Sequence, residues 1–555
     1  MAVRGAGRHP RLRLPALSFL SGPGEPRRDG LERIRSAVWR GAAARQAGVA
    51  FAGSAIMCRR MAERPQAGAT KTLKELFEKE PDRLSRFSFE AAGIYFDWSK
   101  THLDADVMEE SLARAERMGF LAAREALFGG AIVNPSEGRP ATHVAERGSG
   151  APDEVDLATA RRQRMRALVD AIEGGAFGAV TGILHIGIGG SVLGPALLVD
   201  ALGRRASTLT VRFLSNIDGA AFDDAVKPLD PATTLVVAAS KTFSTLETLT
   251  NLEAARAWLR AAGIADPDGR VIAVTAKPEA AVGQGIDESR ILQFGEGVGG
   301  RYSLWSSVGF SAALALGWDA FEALLEGAAE MDRHFRFAEP TGNVALIAAF
   351  ADRLYVETFA CQTRGVFAYD ERLRLLPFYL QQLEMESNGK SVTKDGKAVK
   401  WPTAPVTWGG TGTDAQHAVF QLLHQGTVTV PVEFVAVREG DDDQDPEHHR
   451  LLLLNAFAQG AALMEGRRSD DPQRSYSGNR PSATLLLERL DARSLGSLIA
   501  FYEHRTFANA VLQGINPFDQ FGVELGKEIA RKLAQGADEG ELDASTRALM
   551  ERAGL

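Results

Sequence analysis

Apolar residues recur at helical spacing from Ala69 to about Gly130. Leu73, Leu76 and Phe77 fall on one helical face, and "DVMEESLARAERMGFLAAREALFGG" repeats the same period. The next stretch, "NPSEGRPATHVAERGSGAPDEV", is rich in Gly, Pro and Ser and is typical of a loop. The pattern therefore predicts a helical segment that ends in a loop.

Short apolar runs alternate with helical patterns in the next part of the chain. The runs are "GILHIGIGG", "LTVRFLSNI", "TTLVVAAS", "RVIAVTA" and "RILQF", and the helical patterns include "SVLGPALLVDAL" and "STLETLTNLEAARAWLR". Strands that are apolar on both faces and separated by helices predict a parallel sheet covered on both sides.

The second half repeats this alternation less regularly. "NVALIAAFADRLYVETFA" and "RLRLLPFYLQQLEMESNG" predict helices, and "RGVFAYD", "VPVEFVAV" and "ATLLLERL" predict strands. We therefore predict an α/β fold of two doubly wound αβα domains with parallel or mixed sheets, flanked by helical segments. The predicted boundaries are 61–145 for the N-terminal helical segment, 146–317 and 318–533 for the domains, and 534–555 for a C-terminal helical tail.

The first sixty residues differ in composition from the remainder. They hold twelve Arg, no Lys and three acidic residues, a net charge of +9. An Arg-rich, acid-poor leader is typical of an organelle transit peptide. Alternatively, translation begins at Met57 or Met61. We favour the later start, because the sequence becomes typical of a folded protein at "TKTLKELFEKEPDRLSRFSFE", and we expect residues 1–60 to carry no chemistry.

Composition excludes several classes of protein. A chain of 555 residues is too long to fold around a single hydrophobic core, so we expect two or more domains. No apolar run is long enough to span a bilayer. The net charge of −8 argues against a nucleic-acid binder. Two distant cysteines, Cys58 and Cys361, exclude a disulfide framework and a cysteine-based zinc site. We predict a cytoplasmic protein without membrane or nucleic-acid partners, and no histidine cluster predicts a metal or cofactor.

A glycine-rich turn follows the first predicted strand in "HIGIGGSVLGP". It contains Gly187, Gly189, Gly190 and Gly194, but a dinucleotide-binding turn would need glycine where Val192 stands. The start of the next helix still offers free backbone N–H groups to an anion. Taken alone, the glycines are explained equally well by anion binding and by close packing at the end of the strand.

A cluster of hydroxyl side chains follows the strand "TTLVVAAS". The segment "ASKTFSTLET" is predicted to place Ser240, Thr242, Ser244, Thr245 and Thr248 at a helix start. Thr242, Thr245 and Thr248 are spaced by three, so we expect them to share one helical face. One hydroxyl would serve as a helix cap, whereas this many beside free N–H groups suit a phosphate monoester.

Together, "GIGGSVLGP" and "SKTFSTLET" resemble the sugar-isomerase (SIS) domain of phosphoglucose isomerases. The resemblance implies two SIS domains, of which the first binds phosphate, and an isomerase acting on glucose 6-phosphate and fructose 6-phosphate through a cis-enediolate. The implied phosphate contacts come from Gly190, Ser191, Ser240, Lys241, Thr242, Thr245 and Thr248.

Such a reaction needs a base beside the sugar carbonyl and a donor for the enediolate charge. The segment "LPFYLQQLEMESNGKSV" resembles the family's base segment, which implies Glu386 as the base and Gln382 as a substrate contact. Glu384 is expected to be an ordinary surface glutamate that points elsewhere. The segment "GGRYSLW" likewise implies that Arg301 stabilises the enediolate.

Ring opening needs a further acid and base. "WGGTGTDAQHAVFQLLHQGT" contains His417 and a rival, His424, and the family pattern favours His417. Glu247 is the predicted orienting carboxylate for His417. The segment "NPFDQFGVELGKEIA" implies Lys527 as the second ring-opening residue and Gln520 as a substrate contact.

The resemblance covers about residues 70–535, and it implies a homodimer in which His417 reaches the partner's active site. Two departures are mild: Asp414-Ala415 replace a common Asn-Gly or Asp-Gly pair, and Pro517 replaces a common Ser. Three alternatives remain open. They are a non-catalytic sugar-phosphate sensor, an isomerase of another phosphosugar, and a metal-dependent isomerase.

Overall fold

The structure is a computed structural model that describes residues 71–441, 443–534 and 542–555. The predictions about the leader, 1–60, lie outside the described residues. Residues 71–555 form one compact unit. None of the described helices is long and apolar enough to cross a membrane.

The first part of the described chain is helical except for one hairpin. Thr72 and Glu75 form a capping box that starts the first helix. The helices are α1 (Leu73–Lys79), α2 (Arg83–Phe87), α3 (Ala105–Arg117), α4 (Phe120–Phe128) and α5 (Pro152–Glu173). Between α2 and α3 lie the antiparallel strands β1 (Ser88–Ala91) and β2 (Ile94–Asp97). The prediction of an unbroken helical pattern is wrong here, because the apolar residues Ile94 and Phe96 alternate with period two and are buried.

A five-stranded parallel sheet follows, in the order β4-β3-β5-β6-β7. Its strands are β3 (Gly182–Ile186), β4 (Thr210–Leu214), β5 (Thr234–Ala239), β6 (Val271–Thr275) and β7 (Ile291–Gln293). The helices between them are α6 (Gly190–Ala206), α7 (Gly219–Val226), α8 (Leu246–Ala261) and α9 (Pro278–Val282). Every residue of β3, β5 and β6 is buried, which explains their continuous apolar sequences.

The second sheet has six strands in the order β1-β2-β11-β10-β8-β9. The strands β8 (Thr363–Tyr369), β9 (Val406–Thr411), β10 (Val432–Val437) and β11 (Ser482–Leu487) are parallel, and β2 joins β11 antiparallel. The hairpin that precedes the first sheet in sequence therefore completes the second. The domain boundary at residue 317 stays a prediction.

The remaining helices follow the first sheet in sequence. They are α10 (Phe310–Leu316), α11 (Trp318–Phe337), α12 (Val344–Arg353), α13 (Leu376–Leu380), α14 (Gly412–Gln425), α15 (Pro446–Glu465), α16 (Ala492–Gln513), α17 (Glu524–Ala534) and α18 (Ala544–Ala553). Helix α16 is buried along almost its whole length and packs against α11 and α12. The helix predicted in "RLRLLPFYLQQLEMESNG" begins later, at Leu376, and is not α-helical throughout: α13 continues as a π-helical turn over Gln381–Glu386.

Candidate active site

Arg301 lies in a buried turn after the first sheet, and all of its nitrogen atoms have partners. Nε donates to Ser387 Oγ at 2.6 Å and Nη1 donates to Gln520 Oε1 at 3.1 Å. Nη2 donates to the backbone carbonyls of Pro517 and Asp519. These contacts fix the guanidinium, which is 3% exposed, so its charge has one defined position.

Glu386 ends the π-helical turn and lies next to this charge. Its Oε2 atom is 3.8 Å from Arg301 Nη1, a distance of ion pairing but not of hydrogen bonding. That oxygen is buried and has no hydrogen-bond partner among the described residues. A carboxylate oxygen held near a cation and left unbonded can accept a proton from a ligand.

A cleft of about 760 Å³ opens at Glu386. Gln382, Glu386 and Gln520 line it, as does the segment after the base that includes Lys390. A volume of this size is ordinary for a small-molecule site. The cleft therefore brings the predicted base together with both predicted substrate glutamines.

Asp519 organises one wall of the cleft, and sequence reasoning missed it. Lys390 Nζ donates to its Oδ1 at 2.7 Å, and Ser136 Oγ and Asn516 Nδ2 donate to its Oδ2 at 2.6 and 2.8 Å. Its backbone carbonyl accepts from Arg301. The only sequence signal was the nearness of Asp519 to Gln520.

The glycine turn packs directly against the Arg301 segment. A Cβ atom on Gly190 would lie 2.1 Å from the backbone carbon and oxygen of Gly300, which no packing adjustment accommodates. Gly189 has φ of +56°, and a Cβ there would lie 2.8 Å from Gln382 Nε2. Close packing thus requires these glycines, and it places the start of α6 beside Arg301 and Gln382.

The hydroxyl cluster forms a turn before α8 rather than the first turns of a helix. Because α8 begins at Leu246, Thr242 precedes it and Thr245 is its N-cap residue. Ser240 Oγ accepts the Phe243 N–H and lies 3.0 Å from Thr245 Oγ1. Thr242 is exposed, whereas Thr248 is 1% exposed. The prediction that Thr242, Thr245 and Thr248 share a helical face is therefore wrong.

Lys241 joins this turn to the Arg301 segment. Its Nζ atom donates to the carbonyl oxygens of Glu296 and Val298 at 2.7 and 2.8 Å. Burial, with a smaller contribution from the charge of Arg139, lowers the pKa of Lys241 to about 8. The hydroxyl turn, the glycine turn, Arg301 and Glu386 thus form one connected arrangement.

Comparison with known proteins identifies the family. The model of the phosphoglucose isomerase family matches residues 97–550. The chain belongs to the phosphoglucose isomerase family. It is 64% identical to a glucose-6-phosphate isomerase of Rhizorhabdus wittichii over 87% of this chain and 96% of the relative. It is 56% identical to the glucose-6-phosphate isomerase of Zymomonas mobilis over 88% and 96% of the two chains.

Solved structures agree with this membership. A crystal structure of a glucose-6-phosphate isomerase from Chlamydia trachomatis superposes with a TM-score of 0.79 at 31% identity, covering 87% of this chain and 96% of that one. The predicted α/β fold class and the resemblance to phosphoglucose isomerases are confirmed.

The two ring-opening residues expected from the phosphoglucose isomerase resemblance lie outside the cleft lining. His417 is exposed on α14, and its ring makes no hydrogen bond with a described residue. Its rival, His424, bonds to Gln459 Oε1 at 2.8 Å. Lys527 is exposed on α17, which directly follows the rim of the cleft. Glu247 makes no side-chain hydrogen bond or ion pair with a described residue, and the structure does not join it to His417.

The departures from the phosphoglucose isomerase pattern have simple structural outcomes. Pro517 contributes a backbone carbonyl to Arg301, a contact that any residue could make. Asp414 is exposed in the first turn of α14, and Ala415 is buried.

Glu384 is not the surface residue that the sequence suggested. It is 8% exposed, and its carboxylate pairs with Arg364 and accepts a hydrogen bond from Thr407 Oγ1 at 2.6 Å. It does point away from the cleft, as expected.

Proposed function

We propose that this chain interconverts glucose 6-phosphate and fructose 6-phosphate as an aldose–ketose isomerase. The observation that carries the proposal is the Glu386 carboxylate, whose buried Oε2 is unbonded and lies 3.8 Å from Arg301. Its curated relatives with 56–64% identity carry the name glucose-6-phosphate isomerase. The proposed setting is sugar-phosphate metabolism in the cytoplasm.

The proton transfer would run through Glu386. Its carboxylate removes the proton from C2 of the open aldose, and the electrons form the enediolate as the C1 carbonyl oxygen gains charge. The same carboxyl group then returns the proton to C1, while the hydroxyl proton on the C2 oxygen passes to the C1 oxygen and the C2 oxygen becomes the ketose carbonyl. Arg301 offsets the negative charge on the oxygens throughout, because its position is already fixed before substrate arrives.

The phosphate would bind at the two turns. The start of α6, with Gly190 and Ser191, lies against the Arg301 segment, so the positive end of this helix would attract the phosphate there. The hydroxyl turn would add donors to the phosphate oxygens, from Ser240, Lys241, Thr242, Thr245 and Thr248. Gln382 and Gln520 would contact the sugar, because both line the cleft.

Ring opening would use His417 and Lys527, and it would require a homodimer. His417 is exposed on α14 and does not line the cleft of its own chain. The neighbouring helix α15 exposes an apolar row, Leu451, Leu454 and Phe457, at helical spacing. A second copy seated on this surface would bury that row, bring His417 of the partner subunit to the cleft, and let Glu247 orient it.

A coupled assay that follows conversion of fructose 6-phosphate in the presence of a chelator tests the function. Glu386→Gln is expected to lower kcat by about 10³-fold, because the amide cannot accept the proton. Glu110→Gln, on the exposed side of α3, is the control and should retain activity. An unchanged rate in Glu386→Gln would remove the base from its role. Loss of wild-type activity in chelator would instead favour a metal-dependent isomerase.

A further inference from the structure

Glu384 lies two residues before Glu386, and both of its carboxylate oxygens are held. Arg364 Nη2 donates to Oε1, and Thr407 Oγ1 donates to Oε2 at 2.6 Å. A buried carboxylate with a cationic and a neutral donor is fixed strongly, because releasing it would leave charges unpaired inside the protein.

The two donors come from adjacent strands of the second sheet. Arg364 lies on β8 and Thr407 on β9, and the two residues are direct partners in the parallel register. Their side chains reach the same carboxylate from neighbouring positions. The Glu384 carboxylate is therefore attached to a β-sheet, which is more rigid than a loop.

A second anchor lies on the other side of the base. Ser387 Oγ accepts the Nε–H of Arg301 at 2.6 Å, and Asn388 Nδ2 donates to the Thr506 carbonyl at 3.1 Å. Glu386 thus stands between two fixed positions while its own Oε2 has no hydrogen bond. A base must keep this oxygen free for the substrate proton, so its position has to come from its neighbours.

The backbone between these anchors is unusual. Gln381–Glu386 forms a π-helical turn, in which hydrogen bonds run one residue further than in an α-helix. This turn sends Gln382 and Glu386 into the cleft and Glu384 toward the sheet. Such turns are rare, so contacts outside the turn must favour it over the ordinary helix.

We propose that Glu384, held by Arg364 and Thr407, is a positioning residue that keeps Glu386 at the cleft by holding the π-helical turn. The proposal rests on the proposed function. Without this attachment the turn relaxes toward an α-helix, and the carboxylate of Glu386 moves relative to Arg301. The phosphate-binding turns follow strands of the first sheet and keep their own contacts with the Arg301 segment, so most of the loss falls on the chemical step.

Glu433 provides a matched control. It is a buried carboxylate on β10, 2% exposed, with an arginine and a hydroxyl partner of its own, and its Oε2 also lies 4.0 Å from Arg364 Nη1. Arg505 Nη1 and Tyr502 OH each donate to it at 2.6 Å. Removing either carboxylate takes one partner from a buried arginine and one from a buried hydroxyl, and in both cases Asp352 remains near the arginine. Glu433 is the control because it lies on β10 and not on the base turn, and its removal leaves the contacts of Arg364 and Thr407 with Glu384 in place.

The experiment compares Glu384→Ala with Glu433→Ala by steady-state kinetics and thermal unfolding. Glu384→Ala should lower kcat by about 100-fold, with KM for fructose 6-phosphate changed less than about twofold. Glu433→Ala should lower the unfolding temperature by a similar amount but keep kcat near the wild-type value. Equal kcat losses in the two variants, or no kcat loss in Glu384→Ala, would overturn the positioning role.

Thr407 supplies a milder pair of variants that should fold in any case. Thr407→Val removes the hydroxyl and keeps the shape, and we expect kcat to fall about three- to tenfold. Thr407→Ser keeps the hydroxyl and should restore kcat. If both variants match the wild type, the proposal fails. An inactive wild type would instead refute the proposed function, so the two failures are distinguishable.

Discussion

Glu384 and Glu386 are separated by one residue and have opposite environments. Glu384 has a strong partner on each oxygen, whereas Glu386 lines the cleft and has a buried, unbonded oxygen. Sequence resemblance indicated Glu386 as the base, and its role stays a prediction. It did not predict the burial of Glu384, because its partners Arg364 and Thr407 are distant in sequence and adjacent only through the pairing of β8 with β9.

Lys241 offers a prediction about pH. Its pKa in the folded chain is about 8, below the ordinary value of 10.5, mainly because of burial. Arg139 and Arg301 also lower the pKa, and Glu137 and Glu296 oppose them. The ammonium charge is therefore lost as pH rises through 8, and KM for fructose 6-phosphate should rise above that pH.

Kinetics from pH 7 to pH 10 measure this effect. Lys241→Arg should move the rise in KM beyond the range, because a guanidinium stays charged. Lys277→Arg is the control, since the Lys277 side chain is 42% exposed and already paired with Glu296. If KM rises at the same pH in Lys241→Arg, the prediction is wrong.

The same pKa shift affects the stability of the fold in the opposite direction. Because the unfolded chain binds the proton of this lysine more tightly than the folded chain, the contribution of Lys241 to the free energy of unfolding increases as pH rises from 8 to 10.5.

The elements that hold the site meet at very short distances. The start of α6 lies against the turn of Gly300 and Arg301, and the π-helical turn lies against the glycine turn through Gln382. These contacts couple the first sheet to the base turn, by backbone packing at Gly190 and through the side chain of Gln382 at Gly189.

Gly190→Ala tests this contact. The added Cβ would lie 2.1 Å from the Gly300 backbone, so the two segments must separate. We expect the free energy of unfolding to fall by about 1–3 kcal/mol and kcat/KM to fall with it, since Arg301 is displaced. Gly219→Ala is the control, because a Cβ there at the start of α7 meets nothing within 4 Å. Thermal unfolding and the coupled assay measure the two effects. Equal stability and equal kcat/KM in the Gly190→Ala and Gly219→Ala variants would contradict the prediction.

The strands differ in how well the sequence predicts them. Strands β3, β5 and β6 are buried on both faces, so a run of apolar residues is enough to identify them. Strand β9 was missed because "VTWGGT" contains two glycines. Gly409 is needed there, since a Cβ would lie 1.8 Å from the Val366 carbonyl oxygen on β8. The π-helical turn has no local signal at all, because contacts from other elements impose it.

Across the molecule, the site combines both sheets. Arg301 follows the first sheet, Glu386 lies beside the second, and Gln520 follows the long buried helix α16. A buried network supports the Arg301 segment: Trp305 Nε1 donates to Glu503 on α16, and Arg147 pairs with Glu503. Alternation of strands and helices predicted the two sheets, but this convergence depends on tertiary packing and came only from family resemblance.

His417 is exposed on α14, does not line the cleft of its own chain, and makes no hydrogen bond with a described residue. The proposed homodimer therefore predicts that each active site takes Glu386 from one subunit and His417 from the other. His417→Ala and Glu386→Gln should each be nearly inactive alone. Mixed dimers of the two variants would contain one site with both wild-type residues.

Random reassociation makes half of the dimers mixed, and one of the two sites in each mixed dimer is intact. Co-expression or joint refolding of the two variants should therefore recover about a quarter of the wild-type activity. If His417 acted within its own chain, every site would carry one defect and no activity would return. Native mass spectrometry confirms that mixed dimers formed, so inactive mixed dimers, or a chain that stays monomeric, would refute the shared site. Recovery would place the ring-opening histidine across the subunit interface, because no other arrangement joins two wild-type residues from two defective chains.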